Sequence, residues 1–188
     1  MSCKSYIIKR VILGAFIGAA IMMCWAQLSW YVFGWYKGAI NRFENEILLS
    51  EEIQAHAPGA GVFLKHSDKR LFPGQATEED IFLLAAIDSK GTNFYGPAPF
   101  TLAGISRFII CGILTYLLLK MRLKRYFSRV MFALGAGVFS ALFGSIHQHV
   151  WWEFSLSWTG INGTGLLAMF FVTGLALAGI TKTKEVEA

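Results

Sequence analysis

The side chains with the chemistry to bind or react are few, and they sit inside long apolar runs. Gln27 lies in the first run, Arg107 in the second, and His147, Gln148, His149 and Glu153 close the third. A polar or ionisable group in or near a bilayer costs free energy, so each is a candidate functional residue. Arg107 falls about eight residues into its run, roughly 12 Å along a helix. A guanidinium there needs a partner, a wet pocket or a route for its head to the interface. Glu153 is the nearest counter-charge if the second and third runs start and end at the same face. An Arg107–Glu153 pair that fixes helix register is the simplest expectation. Gln27, Arg107, His147, His149 and Glu153 together form the candidate polar pocket.

His147-Gln148-His149 also invites a metal reading, because neutral imidazole readily ligates copper, zinc or haem iron. Residues two apart point about 200° apart on a regular helix, so His147 and His149 diverge. His149 and Glu153, four apart, share a helix face and could supply two ligands. Arg107 would oppose a cation beside them, and a third ligand would have to come from His56, His66 or a carboxylate outside. Interfacial histidines bonded to backbone or headgroups are the more ordinary reading, and no cofactor is expected. The sequence holds no GxSxG elbow, P-loop, HExxH or GxGxxG motif opening a helix, which weighs against an enzyme. Asp68, Asp80 and Asp88 read as solvated surface. Cys3, Cys24 and Cys111 offer no CxxC or Cys/His zinc spacing. Cys24 and Cys111, in apolar runs, act as small hydrophobes.

Composition names the elements that must hold these residues. Of 188 residues, 55% are hydrophobic and 15% charged, against roughly 25% charged in soluble domains. A disordered chain is excluded and a soluble globular domain disfavoured. Between Arg10 and Lys37 lie 26 residues without a formal charge, and about 20 suffice to cross the hydrocarbon core. The runs predict transmembrane helices at 11–33, 99–119, 130–152 and 161–180. A cleaved signal peptide is the rival reading of the first run. No small-x-small site follows it, and the run is longer than an ordinary signal core.

Charge gives the expected orientation. Residues 1–10 carry +3 from Lys4, Lys9 and Arg10; residues 120–129 carry +5 from Lys120, Arg122, Lys124, Arg125 and Arg129. Residues 34–100 hold nine acids against six bases. The positive-inside rule then puts 1–10, 120–129 and 181–188 in the cytoplasm, with 34–98 and 153–160 outside. This asymmetry argues against nucleic acid as a partner, although the net charge is +5. The 120–129 cluster could also attract anionic headgroups at roughly 1 kcal/mol per charge. Trp25, Trp30, Trp35, Trp151, Trp152 and Trp158 all fall near the outer interface, as anchoring residues do.

Small residues indicate how the helices pack. Gly14 and Gly18 make a GxxxG pair flanked by Ala15 and Ala19; Ala133, Gly137 and Ala141 repeat the spacing, with Ser140, Gly144 and Ser145 beside them. Such stripes let backbones approach closely where lipid gives no hydrophobic drive. Packing within one chain is the first expectation and a homodimer seam the alternative.

Residues 34–98 predict a small α+β domain. The spacing of Ile40, Phe43, Ile47 and Leu48 predicts a helix over 39–49 that ends before Pro58-Gly59. Gly61–Leu64 reads as a strand, and Ser67–Arg70 and Pro73-Gly74 as turns. The run 81–87 is read as a strand pairing with 61–65, although Thr77 and Asp80 resemble a helix N-cap signal.

Leu28-Ser29-Trp30, Phe43-Glu44-Asn45-Glu46 and Ala57-Pro58-Gly59-Ala60-Gly61-Val62-Phe63 resemble segments of uncharacterised small bacterial inner-membrane proteins with four transmembrane helices. In that group a two-strand region precedes three more spans. The proline-rich end of the group's first strand is missing here. The resemblance implies a bacterial inner-membrane location and no activity.

The sequence therefore predicts an all-α membrane protein: four transmembrane helices and a small α+β extracytoplasmic loop domain between helices 1 and 2. The expected role is a non-enzymatic accessory subunit that binds a membrane-protein partner, or a homodimer, through its outer face. The alternative is a small transporter, or a lipid-, ion- or metal-binding protein, that uses the outer polar pocket.

Overall fold

The computed structural model describes residues 3–57, 59–65, 83–87 and 96–182. They belong to two compact units, Met1–Ile40 with Tyr95–Ala188, and Asn41–Phe94. In chain order the elements are α1 (Cys3–Gln27), α2 (Glu46–His56), β1 (Gly61–Lys65), β2 (Leu83–Ile87), α3 (Pro97–Met121), α4 (Tyr126–Ser140), α5 (His147–Trp152) and α6 (Leu156–Ile180). A π-helical turn, Leu28–Val32, prolongs α1, and another, Ala141–Ile146, joins α4 to α5.

Among the described residues, four helical stretches are long and apolar enough to cross a membrane: Ser5–Val32, Pro97–Met121, Tyr126–Trp152 and Leu156–Ile180. All four begin earlier than the apolar runs predict. Lysine and arginine end an apolar run but are good helix formers, so they do not end a helix. Caps and turn residues do. Ser155 starts α6 by accepting the Trp158 amide at 3.2 Å, and α3 starts on Pro97 directly after Gly96.

In the larger unit α6 packs between α1 and α4, and α1 packs between α6 and α3. Neighbours run antiparallel: Gly14 meets Thr115 and Gly18 meets Cys111 across α1 and α3, while Gly137 meets Phe170 and Gly174 meets Ala133 across α4 and α6. A Cβ on Gly18 would lie 2.7 Å from the Cys111 sulfur, and one on Gly137 2.7 Å from the Phe170 Cβ. The small residues of the sequence thus make close contacts inside one chain. The core they close around contains Met22, Cys111, Leu114, Leu118, Ala133, Phe170 and Leu177.

The last carbonyls of a helix have no partner within it. At the end of α6 two arginines supply donors. Arg10 donates to the Ile180 carbonyl. Arg129, 3% exposed, donates through Nε to Ala178 at 3.0 Å and through Nη1 to Leu123 at 2.7 Å and Lys124 at 3.2 Å. The Tyr126 hydroxyl donates to Leu175 at 2.8 Å. One buried guanidinium thus ties the α3–α4 turn to the end of α6.

The smaller unit contains α2 and an antiparallel β1–β2 pair, with Gly61 opposite Ile87 and Lys65 opposite Leu83. The predicted strand pairing is present. The predicted helix is shorter at its start, because the Asn45 side chain accepts the Leu48 amide at 3.0 Å and begins the helix at Glu46. Arg42 grips Glu46 with two hydrogen bonds of 2.8 and 3.0 Å and holds that carboxyl below its ordinary range. Ser67–Arg70, Pro73-Gly74, Thr77, Asp80, Asp88 and His66 lie outside the described residues.

Two glycines on α4 have opposite surroundings. Gly137→Ala forces a methyl into Phe170 and is expected to cost about 1–3 kcal/mol. Gly135→Ala meets nothing within 4 Å and is expected to stabilise by up to about 1 kcal/mol through helix propensity. Thermal unfolding of the purified chain in detergent checks both signs. By the same measurement Arg129→Met should cost at least about 2 kcal/mol, the scale of hydrogen bonds from a charged donor. Arg129→Lys should not restore it, because one ammonium lacks the fork that spans Ala178 and Leu123.

Candidate functional site

Most chemistry-bearing residues of the larger unit gather at the end opposite Arg129. Asn162, Leu166, Met169, Phe170, Thr173 and Leu177 recur at helical spacing on α6. Phe170, Thr173 and Leu177 are buried. Asn162, Leu166 and Met169 instead line a cavity of about 210 Å³. Trp25, Ala26, Ser29, Trp30, Tyr36, Gly165 and Arg107 complete its wall. The cavity thus lies along the continuation of the core stripe on α6.

Local backbone features shape this end. The π-helical turn after Gln27 carries Ser29 and Trp30, and the buried Ser29 hydroxyl donates to Ala26 at 3.0 Å. Gly34 has φ +61°, a left-handed conformation that glycine adopts without strain. It turns the chain so that the 3-10 turn Trp35–Gly38 follows and the Tyr36 ring stacks on Trp30 at 4.3 Å. A Cβ on Gly165 would come within 3.3 Å of the Tyr36 oxygen, so the missing side chain makes room for the phenol. Trp25 donates from Nε1 to the Gly165 carbonyl at 3.2 Å. Asn162 donates from Nδ2 to Ser145 Oγ at 3.1 Å, which orients its amide. Burial raises the pKa of the Tyr36 phenol, so it remains a neutral hydroxyl.

Arg107 is half-buried in the cavity wall, and its Nη1 lies 3.1 Å from the Met23 sulfur. Among the described residues it has no carboxylate partner; the ion pairs there are Arg42–Glu46 and His56–Glu52. The expected Arg107–Glu153 pair is not formed. Glu153 is exposed and left-handed at φ +54°, so it ends α5 instead of prolonging it. Its element packs on α6, whereas α3 packs on α1. Glu153 therefore follows the helix that carries His149 and is not part of it.

The remaining expected pocket residues lie elsewhere. Gln27 is exposed. His147 is exposed and stacks on Phe143 at 5.7 Å, in a stripe that runs from Phe139 to Trp151. His149 donates from Nδ1 to the Phe154 carbonyl at 2.6 Å and closes the turn into α6. Among the described residues no group of three His, Cys, Asp or Glu could hold a metal ion. The tryptophans divide as well: Trp25 and Trp35 contact each other and Phe33, Trp30 and Trp158 both contact Tyr36, and Trp151 and Trp152 belong to α5.

Of the five expected pocket residues, Arg107 alone lines the cavity. Its polar neighbours there are Ser29, Tyr36 and Asn162. Asn162 was findable by the rule that singled out Gln27, since it is an amide inside an apolar run. The lining holds one formal charge and no carboxylate, imidazole or thiol. It can bind an oxyanion through a guanidinium and neutral donors, and it offers no base or nucleophile pair of the ordinary kinds.

No family model, curated protein or solved structure matches the chain at a significant level.

Proposed function

We propose that the chain is an integral membrane protein of the bacterial inner membrane that binds an anionic ligand at Arg107. The four apolar helices support the membrane reading. The basic flanks support a cytoplasmic placement of the termini and of 120–129, with 34–98 outside. The observation that carries the ligand reading is a half-buried arginine without a carboxylate partner among the described residues, in the wall of a cavity. A buried charge is costly unless something pairs with it, and a bound anion does so. The absence of any base or thiol from the lining favours binding over catalysis.

A specific observation favours an accessory subunit as a second reading. In the smaller unit Ile47 and Val62 are each 75% exposed, and Leu48 and Leu83 are exposed as well. One helix and two strands have little core of their own, and a membrane-protein partner would cover these side chains.

Native mass spectrometry of the chain, extracted mildly from its own membrane, separates the readings. The expected result is a small excess mass that Arg107→Gln removes. A protein-sized excess indifferent to Arg107 would establish the accessory subunit instead.

A further inference from the structure

We infer that the occupant of the Arg107 cavity is the phosphodiester head of a membrane lipid; the inference rests on the anion-binding reading above. Size comes first. Pockets that enclose a whole drug-sized ligand measure roughly 300–1,000 Å³. At about 210 Å³ this cavity takes a headgroup and leaves the rest of the ligand outside. Charge comes second. The lining carries one cation and no acid. A phosphodiester bears a single negative charge, whereas a phosphate monoester carries roughly −1.5 to −2 near neutral pH and would leave charge uncompensated. The planar guanidinium presents paired donors that match two phosphate oxygens.

The surroundings supply the third argument. Trp25, Trp30 and Tyr36 on the lining are amphipathic rings of the type that favour the headgroup layer. On the same π-helical turn Leu28 and Val32 are 40% and 67% exposed, an apolar surface on which acyl chains can lie beside the cavity. Tyr36 and Asn162 add neutral donors for oxygens that Arg107 does not reach. A lone fatty-acid carboxylate would leave much of the space empty.

The test uses the full chain in detergent, titrated with phosphatidylglycerol, palmitate and inorganic phosphate and read by native mass spectrometry. Phosphatidylglycerol is expected to bind saturably at one equivalent. Arg107→Gln should weaken it at least roughly ten-fold, the loss expected for a hydrogen bond from a charged group. Leu166→Trp, which fills the cavity and keeps the arginine, should weaken it similarly and carries the test if Arg107→Gln does not fold. Arg107-dependent binding of palmitate or inorganic phosphate as tight as that of phosphatidylglycerol would overturn the lipid inference and leave the anion site standing. If no probe binds in a manner sensitive to Arg107 or Leu166, both fail.

Discussion

The carbonyls that end α6 must find donors inside packed protein, and the bundle is arranged around that requirement. Arg10 from α1 and Arg129 from α4 reach them from opposite sides. Arg129 also holds Leu123 and Lys124, so the turn between α3 and α4 is fastened to the same point. An unmet buried carbonyl costs about 1–3 kcal/mol. Both residues also count toward the basic flanks. Their positive charge therefore complements the negative end of a helix dipole.

With that end fastened, glycines set how far the closure extends. Gly14, Gly18, Gly137 and Gly174 bring the helix pairs together where Cys111, Phe170 and Leu177 fill the centre. Towards the tryptophan-rich end the same stripe of α6 passes to Asn162 and Leu166, and the space stays open. The two ends of one bundle thus differ physically: at one, Arg10 and Arg129 hold the last carbonyls of α6, and at the other Arg107 lines a cavity.

Much of the fold was legible because apolar runs of spanning length have few alternatives. Helix ends were less so. Lys9, Arg10 and Arg129 interrupt hydrophobicity without interrupting helix, while Ser155 and Asn45 cap helices through single hydrogen bonds. The strand pairing was legible from two short apolar runs. The site was legible only at Arg107. Its supposed partner Glu153 depended on which helices are neighbours, which periodicity within one helix does not reveal. The left-handed turn at Glu153 and the π-helical turn carrying Ser29 and Trp30 have no sequence period to announce them. The divergence of His147 and His149 did follow from their spacing: one joins an exposed aromatic stripe and the other closes a turn.

The bundle is fastened by arginines at one end, and we propose that it binds an anion at Arg107 at the other. Thiol labelling tests it most directly. In a chain with Cys3 and Cys24 replaced by serine, Leu166→Cys introduces a thiol in the cavity wall, and buried Cys111 serves as the internal reference. The account predicts that the Leu166→Cys thiol reacts, faster with an anionic methanethiosulfonate than with a cationic one, while Cys111 stays unmodified. An unreactive thiol at 166, or equal modification of Cys111, would contradict it.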